Sequence, residues 1–184
     1  KDLSENWGTS KMKGYYNGAA YADLNNDGKL DLVINCLNAP ALVLKNNSPK
    51  KNYFEITFHS NGMNTSGIGA KAWLFSGNKT QYQQLMLTRG FMSSSEPRLH
   101  FGLDSVTTID SLLIVWPDQQ YDLIKNPPVN TQLKAAYKDA PHHFNYAQYF
   151  QKPEEILKNI STQTGLNWKH QEDPFIDFNI QYLI

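Results

Sequence analysis

The sequence predicts an all-β protein whose main part is a β-sandwich, with one short helix near its C-terminal end. Between residues 51 and 137, about seven short segments are apolar or alternate in polarity, with turn residues and no helical pattern between them. The chain is also rich in aromatic residues, with 10 Tyr, 9 Phe and 4 Trp among 184 residues. That composition suits β structure, and it equally suits contact with carbohydrate.

Composition and charge argue against a nucleic-acid-binding protein and against a membrane-spanning one. Lys+Arg and Asp+Glu both number 17, and no basic cluster is denser than Lys50-Lys51. Nucleic-acid binding through the phosphate backbone normally requires a basic face, so we expect no nucleic-acid partner. No apolar run approaches the length of a membrane span, so we expect no span in this chain. The single cysteine, Cys36, follows an apolar run and is predicted to be a buried free thiol.

Residues 1–50 are expected to form a small β unit around an acidic loop. Segment 19–22 leads into the loop, and segment 30–34 leads out of it as a short, β-branched apolar run. Segment 41–44 follows as a third strand. Strands this short are marginal in isolation, so the unit needs a surface to pack against.

Residues 51–137 carry most of the strand signal. Segment 53–58 alternates large apolar and polar residues, and Ser76-Gly77-Asn78-Lys79 is typical of a hairpin turn. A strong apolar run ends at Pro117. The predicted strands are 53–58, 70–75, 80–88, 98–102, 109–116, 120–124 and 131–137.

Residues 138–184 are expected to hold a linker, one short helix and an extended aromatic tail. The helix is predicted over 153–163, because proline stands at its start, glutamates occupy its first turn and Gly165 follows its end. The linker at 138–152 shows no clear period.

An acidic loop after the first predicted strand is the strongest functional signal. Side-chain oxygens occur at Asp23, Asn25, Asp27 and Asp31, and Gly28 directly follows the third of them. Alternate residues of a tight loop can direct their oxygens at one centre, and glycine permits the turn that closes the loop. The pattern predicts a divalent-cation site, with Ca²⁺ preferred to Mg²⁺ because the loop offers many ligands, all of them oxygen.

The same loop has two other interpretations. It begins like an EF-hand, but Ile34 stands where an EF-hand has its last glutamate, and the flanking residues are typical of strands. Asn, Asp and Gly also favour an ordinary turn without metal. We favour the cation site, because an ordinary turn rarely needs four oxygen-bearing residues at alternating positions.

Three stretches of the chain resemble known families. Residues 18–32 resemble the calcium-loop repeat of the FG-GAP/VCBS type, which is usually a blade of a β-propeller. Residues 66–137 resemble the ASPIC/UnbV domain of the cartilage-acidic-protein group, and the tail is similar to the segment that opens a further repeat array in such proteins. The ASPIC/UnbV resemblance lies in Gly67-Ile68-Gly69-Ala70-Lys71, in residues 89–103 and in Ile114-Val115-Trp116-Pro117-Asp118.

The resemblance implies a division of the chain into three parts. Residues 1–50 would be a partial propeller blade carrying the acidic loop, residues 51–137 the ASPIC/UnbV β-sandwich, and residues 138–184 a linker, a short helix and the lead-in to a further repeat region. The chain would then be an excised piece of a larger repeat protein.

The resemblance also implies a location and a ligand set. It is to secreted or surface-exposed proteins, associated with the outer membrane if bacterial. Calcium would be held by the side chains of Asp23, Asn25, Asp27 and Asp31 and by the backbone carbonyl of Lys29.

A second group of polar residues occurs between positions 89 and 102, where Arg89, Glu96, Arg98 and His100 are concentrated. One interpretation is a ligand-binding loop whose arginines and serines hold an anion or a sugar. The other, which we favour, is a structural loop with Arg–Glu pairing, serines at strand ends and His100 on one face of a strand.

These observations favour a non-enzymatic, Ca²⁺-binding extracellular β module for adhesion or ligand binding, with a cell-surface protein or a glycan as partner. The alternative is a glycan-recognition or nutrient-uptake accessory at the cell surface, in which exposed Tyr and Trp stack on sugars. An enzyme would require a cleft with paired catalytic groups, which the sequence does not show.

Overall fold

The computed structural model describes residues 2–137, 142–150 and 155–171, and these residues confirm the predicted all-β fold. The chain divides into two compact units, residues 1–145 and residues 146–184. The strands are β1 (Tyr16–Ala22), β2 (Asp31–Cys36), β3 (Leu42–Leu44), β4 (Asn52–His59), β5 (Lys71–Ser76), β6 (Lys79–Gln84), β7 (Arg98–Asp104), β8 (Ser111–Val115), β9 (Tyr121–Lys125) and β10 (Thr131–Ala136). The helical pieces are α1 (Tyr146–Tyr149) and a 3₁₀ turn (Ser161–Gln163).

The first sheet is a three-stranded antiparallel meander in the order β1-β2-β3. The last β1–β2 pair joins Ala22 to Asp31, so the acidic loop lies where these two strands meet. Leu32 pairs with Leu44 on the other side of β2. Cys36 at the end of β2 is buried and forms no disulfide, which confirms the predicted free thiol.

The other seven strands form the sandwich, in two sheets ordered β10-β4-β7 and β6-β5-β8-β9. Strand β4 is central in the smaller sheet, where it runs antiparallel to β7 and parallel to β10. The predicted hairpin turn at 76–79 joins β5 to β6, whose register closes at Ser76 and Lys79. Every strand predicted from the sequence has a counterpart within a few residues of its expected bounds.

The core of the sandwich is built by the strand alternation that the sequence shows. Phe54, Ile56 and Phe58 of β4 are all buried, because every second side chain of a strand points to the same face. Trp116 is also buried, and its indole N–H donates a hydrogen bond of 2.8 Å to Asp122. Fully burying a side chain such as Phe54 or Ile56 contributes about 1.5–3 kcal/mol, so this core stabilises the first unit.

The helix predicted over 153–163 is wrong where the structure describes it. Residues 155–160 form no regular structure, and only the 3₁₀ turn follows them, while residues 153 and 154 lie outside the described residues. Ile156 and Leu157 are exposed, so no apolar face is packed. Helices shorter than about 12–15 residues are marginal in water without such packing, whatever their capping signals.

The described residues contain no helix that is both long enough and apolar enough to cross a membrane.

Candidate functional site

Strand pairing brings the two ends of the acidic loop together. Asp23 directly follows β1 and Asp31 opens β2, and the pairing of Ala22 with Asp31 places both carboxylates at the base of the loop. Both are buried, with only 5% of Asp23 and 4% of Asp31 exposed. The structure therefore gathers the first and last predicted ligands in one place.

Backbone N–H groups hold both carboxylates in position. Asp23 accepts hydrogen bonds from the N–H groups of Asp27 (3.0 Å) and Gly28 (2.6 Å). Asp31 accepts one from Leu24 (3.2 Å) and one from Asn46 (2.7 Å), so it joins the loop to the segment that follows β3.

Asn25 and Asp27 lie on the more open side of the loop. The Asn25 side chain accepts a hydrogen bond of 3.2 Å from the Asp27 N–H and donates one of 3.0 Å to the Asp27 carboxylate. The Lys29 ammonium lies 3.3 Å from the same carboxylate. Desolvation acts to raise the pKa of Asp27, but the hydrogen bonds from Asn25 and Lys29 and the charge of Lys29 outweigh it and hold that pKa below its usual value.

The chemistry of this donor set fits a hard cation. No Lys, Arg or His among the described residues forms an ion pair with Asp23 or Asp31, although burying a charge is costly unless it is paired. Each carboxylate oxygen can accept two hydrogen bonds, and each of these four accepts one from the backbone. Oxygen ligands of this kind are those that Ca²⁺ prefers.

The side chains alone do not complete a metal site. In the part of the chain that the structure describes, no group of three or more His, Cys, Asp and Glu side chains is arranged to hold a metal ion. A cation at this loop would therefore also depend on the amide oxygen of Asn25 and on a backbone oxygen, for which the resemblance implies Lys29.

Gly28 lies where the loop contacts the sandwich. Its φ of +84° lies in the left-handed region that favours glycine. A Cβ atom there would clash with the ring of Tyr53 on β4, so glycine is also required by the close approach of that ring. The Tyr53 ring in turn stacks on His100 of β7, with 5.8 Å between ring centroids.

A buried ionic cluster lies beside this stack. Glu55 of β4 accepts a hydrogen bond of 2.9 Å from Arg98, and its other oxygen lies 3.1 Å from His100 Nδ1. Arg98 also lies 3.2 Å from Glu96. The Arg–Glu pairing predicted for this segment is thus confirmed, whereas its central partner, Glu55, was missed because its place in an alternating strand is typical of an exposed residue.

The geometry described so far defines a β-sandwich domain with an acidic loop packed against one of its sheets. Comparison with known families adds that residues 60–142 match the family model described as ASPIC and UnbV. The match begins directly after β4 and includes β5 to β10, and it supports an ASPIC/UnbV domain in this chain. No curated protein matches the sequence.

Proposed function

We propose that this protein is a non-enzymatic, calcium-binding β module that mediates adhesion or ligand binding outside the cell or at its surface. One observation supports the calcium site: Asp23 and Asp31 are both buried at the base of the loop, and no basic side chain among the described residues pairs with either. The resemblance of residues 18–32 to an FG-GAP/VCBS-type blade supports both the site and the extracellular location.

Calcium would act structurally, by supplying the positive charge that the buried carboxylates lack. The chain's own residues connect the loop to its surroundings. Asp31 holds the segment after β3 through the Asn46 N–H, and Gly28 lies against the Tyr53 ring. An ordered loop therefore sets the position of the first sheet on the sandwich.

Calorimetric titration with Ca²⁺ tests the site directly. We expect binding to the full chain and at least a tenfold weaker affinity in Asp23→Asn and Asp31→Asn, because each loses a charged ligand. Asp104→Asn is the matched control, since Asp104 is an exposed residue that pairs with Lys51 outside the loop, and its affinity should not change. Absence of binding, or equal affinities in all four proteins, would contradict the site.

A second candidate function, glycan recognition, is favoured by a groove beside the first sheet. The groove has a volume of about 730 Å³, within the usual range for ligand sites, and Trp7 on its wall is 75% exposed. Tyr21, Asn6, Asn47 and Ser48 also line it. Aromatic faces beside amide and hydroxyl groups suit the stacking and hydrogen bonding that sugars require.

A glycan array followed by tryptophan fluorescence tests this second function. Trp7→Ala is expected to abolish any binding detected, because it removes the stacking surface. Trp168→Ala is the control, since Trp168 is about equally exposed but belongs to the second unit. Absence of glycan binding, or an equal loss of binding in both variants, would contradict glycan recognition at this groove.

A further inference from the structure

A small cavity with both polar and apolar walls lies between the first sheet and the sandwich. Its volume is about 150 Å³, and Tyr21 and Leu30 contribute from the first sheet and its loop. The sequence contains only two arginines, against fifteen lysines, and both arginines, Arg89 and Arg98, line this cavity. The arginine side chain differs from lysine in its planar fork of N–H groups, which matches a carboxylate in a bidentate manner.

Two buried polar atoms on the cavity wall lack hydrogen-bond partners among the described residues. They are the hydroxyl oxygen of Ser95 and the Nε of Arg98. Glu96 lies 3.2 Å from that Nε, but the direction of the N–H does not meet hydrogen-bond geometry. Buried donors are nearly always satisfied in folded proteins, so the wall lacks an acceptor.

Arg89 supplies a third donor group at the same cavity. It is exposed, and it forms no ion pair with any residue that the structure describes. Arg98 instead pairs with two carboxylates, those of Glu55 and Glu96. Arg89 is therefore the guanidinium of the cavity that is left for a ligand, and a single cation suits a monoanion better than a phosphate dianion.

We infer that this cavity binds a small carboxylate ligand. The Arg89 guanidinium binds the carboxylate, and the Ser95 hydroxyl and the Arg98 Nε–H each donate a hydrogen bond to it. Glu96, whose side chain is 32% exposed, partly fills the role of the ligand in its absence and turns outward on binding. The Ca²⁺ loop supplies none of these three donor groups, so the site is distinct from the proposed calcium centre.

An NMR titration of the ¹⁵N-labelled chain with acetate tests this assignment, with acetamide and inorganic phosphate as comparison probes. We expect acetate to shift amide signals near Arg89 and Ser95, and acetamide and phosphate to bind more weakly. Arg89→Ala should weaken acetate binding about tenfold or more, since a bidentate charged contact is lost. Glu96→Gln should strengthen it several-fold, because a competing carboxylate is removed.

Lys125→Ala is the matched control, because Lys125 is an exposed cation that does not line the cavity. Its acetate affinity should equal that of the wild type. Equal responses to acetate and acetamide, or equal losses in Arg89→Ala and Lys125→Ala, would overturn the carboxylate site. Tighter binding of phosphate would overturn the ligand class, and unchanged affinity in Glu96→Gln would overturn the role of Glu96.

Discussion

Replacing Glu55 with Gln is expected to lower the free energy of unfolding at neutral pH by about 1–3 kcal/mol, because a buried carboxylate that two side chains contact loses its charge. The Glu55 side chain is only 5% exposed, and it is the shared partner of Arg98 and His100. A neutral amide would leave Arg98, whose side chain is 15% exposed, with Glu96 as its remaining ion-pair partner. Denaturant unfolding followed by tryptophan fluorescence measures the change.

The pH dependence of stability separates the charge of Glu55 from its packing. Burial acts to raise the pKa of Glu55, but the hydrogen bond with His100 and the charge of Arg98 outweigh it, so the folded pKa lies below the ordinary value. A lowered folded pKa stabilises the protein fully above the unfolded pKa, which is about 4.3 for Glu, and that stability is lost as the pH falls through the folded pKa.

We therefore expect the stability of the wild type to fall below about pH 5 more steeply than that of Glu55→Gln. Glu5→Gln, which changes an exposed glutamate, is the control and should follow the wild type. Parallel curves for the wild type and Glu55→Gln would show that the carboxylate charge does not stabilise the fold.

Calcium is expected to raise the melting temperature of the first unit, and a chelator should remove the gain. Saturation at about one hundred times the Kd stabilises a protein by about 2.7 kcal/mol. For a unit of this size that corresponds to roughly 5–10 °C. The physical reason is that Asp23 and Asp31 are buried like charges without a basic partner among the described residues.

Scanning calorimetry with calcium and with chelator measures this effect. Asp23→Asn should gain at most about half as much from calcium as the wild type, because its affinity is at least tenfold weaker. If the wild type also melted at equal temperatures at a saturating calcium concentration, calcium would have no structural role.

The strands were predictable because their signal is local. Alternation over Phe54, Ile56 and Phe58 indicates one buried face, and the turn residues at 76–79 specify a hairpin. The parallel pairing of β4 with β10 was not predictable, since the partners Phe54 and Thr131 are far apart in sequence and no turn connects them. The predicted helix failed where the structure describes it, and its apolar residues Ile156 and Leu157 are exposed there.

The candidate site was likewise predictable from the sequence only in part. The loop pattern indicates Asp23, Asn25, Asp27 and Asp31, and the strand pairing around the loop brings the first and last of them together. The Tyr53 ring that lies against Gly28 of the loop comes from β4. No local pattern in the loop indicates this contact. Glu55 is likewise buried by residues beyond its own strand, which its alternation could not show.

The most direct test of the proposed calcium site is the anomalous difference map of a crystal grown with ample calcium. We expect a peak within about 2.3–2.6 Å of side-chain oxygens of Asp23, Asn25, Asp27 and Asp31 and of the Lys29 carbonyl. A map without a peak at this loop, with the four side chains turned apart into solvent, would contradict the proposed calcium site.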